Sequence, residues 1–162
     1  GCRRRLLSDR IAALLALRDG FLVVDVQIQL ARLSCDELRQ LLEGKHAISS
    51  QELLSCFELD SFAGHSQVPL SFSQFVCDEK ELDDVGRLQL LEWCTGLSAL
   101  PAGGLTPKIK LCLYSGATDA TLPECHTCTR ELHMPEYSSF ERLCDRLQYV
   151  LRGHTSDGFQ NA

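Results

Sequence analysis

At 162 residues the chain has room for one domain, or one small domain and part of another. Apolar residues at 44% and charged residues at 23% are ordinary for a globular protein, which at this length buries about two-thirds of its unfolded surface without help from a metal or disulfide. A net charge of −6 with no acidic tail argues against nucleic acid or an anionic membrane as the main partner, and no apolar run approaches the roughly 18 residues of a membrane span.

The opening Cys2-Arg3-Arg4-Arg5-Leu6-Leu7 is basic, then apolar. Asp9 and Arg10 interrupt it and no small-residue cleavage site follows, so it does not read as a signal peptide. The first residue is not methionine, and the chain reads as a piece of something longer. Leu7, Ile11, Leu14, Leu15 and Arg18 recur at helical spacing over residues 6–18, with Gly20 as the expected stop. Phe21 to Leu30 is apolar and β-branched, and fits either a strand or a short buried connection. Ser34-Cys35-Asp36-Glu37 is a capping box, in which a serine hydroxyl and a glutamate three residues on satisfy orphan amides reciprocally. It opens a helix through Leu38, Leu41 and Leu42 that Gly44 stops. Ser49-Ser50-Gln51-Glu52 repeats the device before Leu53, Leu54 and Phe57.

Residues 60–69 are small and polar, with Gly64 and Pro69, and form the candidate hinge. Phe72, Phe75 and Val76 suit one helix. Val85, Leu88, Leu91 and Cys94 suit another that starts near Asp83-Asp84, where two carboxylates favour the helix dipole. Thr95 to Gly104 is a Gly- and Pro-containing loop, and Ile109 to Tyr114 alternates as a strand does. A loop over 115–129 leads to a short strand, Glu131 to Met134. The last helix has a capping box at Ser138-Ser139-Phe140-Glu141 and a buried face of Phe140, Leu143, Leu147, Val150 and Leu151, with Gly153 closing it. Helices with a few short strands predict a mixed α+β fold.

Nine widely spaced cysteines do not read as a disulfide framework, and several fall on apolar faces as small buried hydrophobes. This usage suits a reducing compartment, cytoplasm or nucleus. Cys125-His126-Thr127-Cys128 stands apart, and three chemistries compete for it. Zinc would need Cys125, His126, Cys128 and His133 to converge, but His126 lies between the cysteines and no second Cys-x-x-Cys exists. A thioredoxin-like pair would sit at a helix N-terminus after a strand, whereas strand-like residues follow here. The third is a single reactive thiol, in a turn between an apolar strand and an amphipathic helix.

Leu122-Pro123, His126-Thr127-Cys128, Leu132, Pro135 and Tyr137 together resemble the catalytic loop of HECT-type ubiquitin ligases. The resemblance runs from about Ile11 to Ala162. It takes in Gly20-Phe21, Glu37-Leu38, Leu41-Leu42-Glu43-Gly44, Leu91-Glu92-Trp93-Cys94-Thr95-Gly96, Leu100-Pro101-Ala102-Gly103-Gly104-Leu105, Pro107-Lys108-Ile109 and Phe159. Thr129 and Arg130 depart from it, standing where many relatives have an aromatic and an asparagine. So does Cys94, where the family has a valine.

The resemblance implies an enzyme that accepts ubiquitin from a ubiquitin-conjugating enzyme as a thioester on Cys128 and passes it to a lysine of a protein substrate. His126 either biases the thiolate or only hydrogen-bonds the loop. Thr127 fixes the loop through a backbone group, Cys125 is a packing residue, and Phe159, fourth from the end, positions the lobe for transfer. Residues 1–60 correspond to the last helices of the family's N-lobe, 61–67 to a hinge and 68–162 to its C-lobe, a short sheet packed against helices. Most of the docking site for the conjugating enzyme is then outside the chain. No cofactor and no metal are expected. A catalytically silent ubiquitin- or protein-binding module is the competing reading, and a thiol-disulfide or zinc site at Cys125 and Cys128 is the other.

Overall fold

A computed structural model describes residues 10–23, 32–59 and 66–156. The chain divides into two compact units, residues 1–42 and 43–162. The first holds helix α1 (Ile11–Val23) and nearly all of α2 (Cys35–Glu43). Gly20 does not end α1, which runs three residues further. One glycine costs a helix about 1 kcal/mol, too little to stop it alone. Of the segment Phe21 to Leu30, the first three residues are helical and the rest lies outside the described residues. The capping box of α2 forms as the sequence predicts: the Glu37 amide donates to Ser34 Oγ at 3.2 Å, and the Ser34 amide donates to the Glu37 carboxylate at 2.7 Å.

The second unit begins at the end of α2. Gly44 ends that helix at φ +81°, with Leu100 so close that a Cβ on Gly44 would lie 2.8 Å from its carbonyl oxygen. Lys45 and Leu100 then exchange two backbone hydrogen bonds. Helix α3 (Ser50–Ser55) carries the second capping box, between Ser49 and Glu52. Phe57, expected to continue that helix, instead enters strand β1 (Phe57–Glu58). The reason is long-range, since the Cys56 carbonyl accepts from the Ile109 amide and Phe57 pairs with Ile109.

Helices α4 (Val68–Cys77) and α5 (Asp84–Thr95) follow. Pro69 falls in the first turn of α4, where a missing amide costs nothing. Asp83 caps α5 by accepting from the Gly86 amide at 2.7 Å. The buried face of α5 is Arg87, Leu90, Leu91 and Cys94. Val85, expected on that face, is exposed, and Arg87 and Leu90 are the residues the periodicity missed.

Strand β2 (Ile109–Leu113) pairs in parallel with β1 and with β4 (Glu131–Met134), and β3 (Glu124–His126) pairs antiparallel with β4. The order is β1-β2-β4-β3. Ile109, Leu111, Leu132 and Met134 share the covered face, where Phe57 meets Phe72 edge-on at 4.9 Å. Helices α4, α5 and α6 (Phe140–Ser156) supply the rest of the core: Phe72, Phe75, Leu90, Leu91, Leu143 and Leu147 are at most 2% exposed. Each such side chain contributes about 1.5–3 kcal/mol through burial. The architecture is mixed α+β, as predicted.

Helix α6 differs from expectation at both ends. Its cap is Ser139, which accepts from the Arg142 amide at 3.3 Å. Ser138 is drawn away by Asp119, which accepts from both its amide and its hydroxyl. Those bonds hold the Asp119 carboxyl below the usual range. Gly153 lies inside α6 rather than at its end.

Candidate active site

The expected reactive thiol sits on a hairpin. The sequence placed it between a strand and a helix within a long loop, but residues 124–126 pair with β4 and leave a four-residue connection, Thr127-Cys128-Thr129-Arg130. A three-residue strand is set by its partner, Glu124 to His133, Cys125 to Leu132 and His126 to Glu131, and has little signature of its own.

The entry to β3 is fixed first. Pro123 is buried, and the Tyr137 hydroxyl donates to the Thr121 carbonyl at 2.8 Å. Burial raises the Tyr137 phenol to about 12, so it stays a donor across the working pH range. The exit is fixed by Arg130, whose φ of +54° turns the chain back into β4. Its guanidinium donates to the Pro107 carbonyl at 2.5 Å, and its own carbonyl accepts from the Lys110 amide at 2.8 Å. Thr129 Oγ1 donates to the His126 carbonyl at 3.5 Å and meets the Glu131 carboxylate at 3.1 Å. Sequence reading assigned neither Thr129 nor Arg130 a role. An arginine at positive φ leaves no local mark, because the residues that announce that conformation are Gly, Asn and Asp.

Between these anchors Thr127 and Cys128 are exposed. A thiol at the tip of a short, doubly tethered turn can meet a partner as large as a protein. His126 is exposed on the outer face of β3, where its ring packs edge-on against His133 at 5.0 Å. His133 in turn meets Tyr114 at 6.2 Å and lies 3.6 Å from the Glu131 carboxylate. Strand alternation sends Cys125 the opposite way, half-buried against the core. There it lies beside α5, where its thiol interacts with that of Cys94, fully buried in the helix's last turn.

Beside the hairpin runs a groove of about 1360 Å³ between β3 and α6, lined by Trp93, Leu122, Pro123, Cys125, Tyr149 and Val150 among others. Among the described residues, no group of three or more His, Cys, Asp or Glu side chains could hold a metal ion. Nor, among them, is any helix long and apolar enough to cross a membrane. Phe159 lies outside the described residues, as do residues 60–65 of the expected hinge.

The family model described as "HECT-domain (ubiquitin-transferase)" matches residues 2–162. The chain is 32% identical over 161 residues to a bifunctional serine/threonine-protein kinase/NEDD4-like E3 ubiquitin-protein ligase of Dictyostelium discoideum, covering 96% of this chain and 8% of that protein. It is 32% identical over 152 residues to the E3 ubiquitin-protein ligase hecd-1 of Caenorhabditis elegans, covering 90% of this chain and 6% of that one. It is 26% identical over 166 residues to the E3 ubiquitin-protein ligase HUWE1 of Mus musculus, covering 98% and 4%. The chain thus spans less than a tenth of these relatives.

Proposed function

The chain belongs to the HECT-domain family of ubiquitin-transferases, and from that membership we propose that Cys128 is the residue that carries ubiquitin. The Cys128 thiolate attacks the carbonyl of the thioester that joins ubiquitin to a conjugating enzyme. A new sulfur–carbon bond forms and the conjugating enzyme's thiolate leaves. A lysine amine of a protein substrate then attacks the same carbonyl, a nitrogen–carbon bond forms, Cys128 leaves as thiolate and the amine gives up a proton. Exchange between two thioesters is nearly isoenergetic, and sulfur is nucleophilic even when a few per cent is ionised, so positioning matters more than strong activation.

The observation that carries this reading is the exposed Cys128 on a hairpin tethered at Arg130 and Tyr137. His126 stands on the outer face of β3 two residues before Cys128, where it can relay a proton or orient the turn, and Thr127 precedes the nucleophile. Residues 1–60 act as the end of the N-lobe, 61–67 as a hinge and 68–162 as the C-lobe, with Phe159 orienting the loaded lobe toward the lysine. Cytoplasm or nucleus is the compartment that fits the free thiols.

The test is intact mass after incubation with ubiquitin-loaded conjugating enzyme. A reductant-sensitive ubiquitin adduct is expected on the unaltered chain and on Cys125→Ser. Cys128→Ser should lose it, or keep a reductant-resistant oxyester. Equal loss in both variants would sink the assignment. A chain that binds ubiquitin without ever forming an adduct would instead be a silent module.

A further inference from the structure

The sequence alone makes Cys125 a packing residue and Cys94 one apolar position of a helix. The fold brings them together: Cys94 is the last buried residue of α5, and Cys125 is the inward-facing residue of β3. Helix α5 packs directly against β3, and Cys125 lies against the core cluster that contains Cys94, where the two thiols interact through their side chains. Their surroundings are unequal. Cys94 is 0% exposed, while Cys125 is half-buried and lines the groove of about 1360 Å³. A small solute can therefore reach Cys125 but not Cys94.

We propose that Cys94 and Cys125 are a peroxide-responsive dithiol, which a hydroperoxide converts to a disulfide joining α5 to β3 directly ahead of the Cys128 hairpin. The chemistry follows the asymmetry. The interaction with the Cys94 side chain lowers the Cys125 thiol, whereas burial raises Cys94. Cys125 is thus the sulfur that ionises and is oxidised. Its thiolate attacks a peroxide oxygen, the O–O bond breaks, and hydroxide (or alkoxide) leaves, giving a sulfenic acid. The Cys94 sulfur then attacks the sulfenic sulfur, the S–O bond breaks, and water leaves with the Cys94 proton. Two thiols and one hydrogen peroxide become one disulfide and two waters. The buried resolving thiol is already in contact, so condensation competes with further oxidation of Cys125.

This pairing differs from the Cys125–Cys128 link that the Cys-x-x-Cys spacing suggests. In the structure Cys125 points into the core while Cys128 is exposed in the turn. At Cys56, Cys112 and Cys144 the net direction is the opposite, burial raising each thiol. The inference does not depend on ubiquitin transfer, and its readout is covalent structure alone.

The purified chain is treated with hydrogen peroxide, its remaining thiols are capped with a maleimide, and it is digested with trypsin and a glutamate-specific protease. The two proteases separate Cys94, Cys112 and Cys125 into different peptides, since Glu124 lies between the last two. A reductant-sensitive peptide joining Cys94 to Cys125 is expected, with a parent mass loss of two hydrogens. Cys128→Ala should keep it, and Cys94→Val should lose it and leave Cys125 as the sulfenic or a higher acid. A link from Cys125 to Cys128 would overturn the proposal, as would a Cys125 that stays a free thiol or goes to the acid in the unaltered chain. Cys125 and Cys128 share the peptide 125–130, so mapping of Cys128→Ala, in which Cys125 is that peptide's sole cysteine, decides the matter even if Cys94→Val fails to fold.

Discussion

Arg87 is 7% exposed, yet its guanidinium is used up on the chain itself. Nε donates to the Ile48 carbonyl at 2.9 Å, Nη1 to the Leu82 carbonyl at 3.2 Å, and Nη2 pairs with Asp84. It ties the segment before α3 to the start of α5. The periodicity of α5 gave the inward place to Val85, because an arginine reads as a surface residue until its distant acceptors are known. Ile48 is 39 residues away, and no local pattern announces it. Replacing Arg87 by leucine keeps bulk but orphans two buried carbonyls, at about 1–3 kcal/mol for each unsatisfied group. Arg87→Leu should therefore lower the unfolding free energy by about 2–6 kcal/mol, read as a lower urea midpoint with an unchanged slope. An unchanged midpoint would mean that solvent reaches both carbonyls.

Among elements, those specified within four residues were legible and those specified across the chain were not. Two of the three capping boxes, at Ser34/Glu37 and Ser49/Glu52, formed as read, because donor and acceptor lie in one turn, whereas the third shifted to Ser139 because Asp119, 19 residues back, takes Ser138. Strands β1 and β3 were missed, being two and three residues long and created by Ile109 and Leu132 on other strands. The Ser49 box also makes a pH prediction. The Glu52 carboxylate accepts from Lys45 Nζ at 2.7 Å, and from Ser49, and these bonds lower it to about 2. Unfolded, a glutamate titrates near 4.3, so the unfolded chain takes up the proton first as pH falls. The stabilisation is fully present above about pH 4.5 and is lost toward pH 2. Because the side chain is 37% exposed, the effect is discounted to about 1 kcal/mol or less. Urea melts at pH 6 and pH 3 should show Glu52→Gln less acid-sensitive than the unaltered chain. Parallel losses in both would remove Glu52 from the account.

The hairpin is the element where stability and function meet. Arg130 bridges the turn to Pro107 on the loop before β2, so the position of Cys128 depends on a contact 23 residues back in the chain. Arg130→Ala should slow formation of the Cys128 adduct severalfold while leaving the melting curve within about 0.5 kcal/mol, as for an ordinary surface change. Loss of folding instead would make Arg130 a structural residue first. The cysteine proposed as nucleophile stood out in the sequence through Leu122-Pro123 and His126-Thr127-Cys128, whereas its tether did not, since arginine and proline at that separation carry no shared pattern.

For the molecule as a whole, family membership rests on the full span of residues 2–162, and the lobe boundaries remain a proposal built on it. The second unit, 43–162, brings the core, the groove and the Cys128 hairpin together. Delivery of ubiquitin is a different task from loading. Loading can rely on the conjugating enzyme to present its thioester, whereas delivery requires the loaded Cys128 to be held toward a lysine amine. The tail Gly158-Phe159-Gln160-Asn161-Ala162 carries one large apolar group, and ordering a polar tail needs a docking surface to offset chain entropy. A Phe159 that docks during delivery would supply that orientation, and a displacement of about 1 Å between reacting groups can lower a rate roughly a hundredfold. Phe159→Ala should thus leave formation of the Cys128 thioester within about twofold and slow its discharge to lysine by tenfold or more, in single-turnover measurements of each step on the same preparation. Equal slowing of both steps would make Phe159 a structural residue, and no slowing of either would detach the tail from the mechanism.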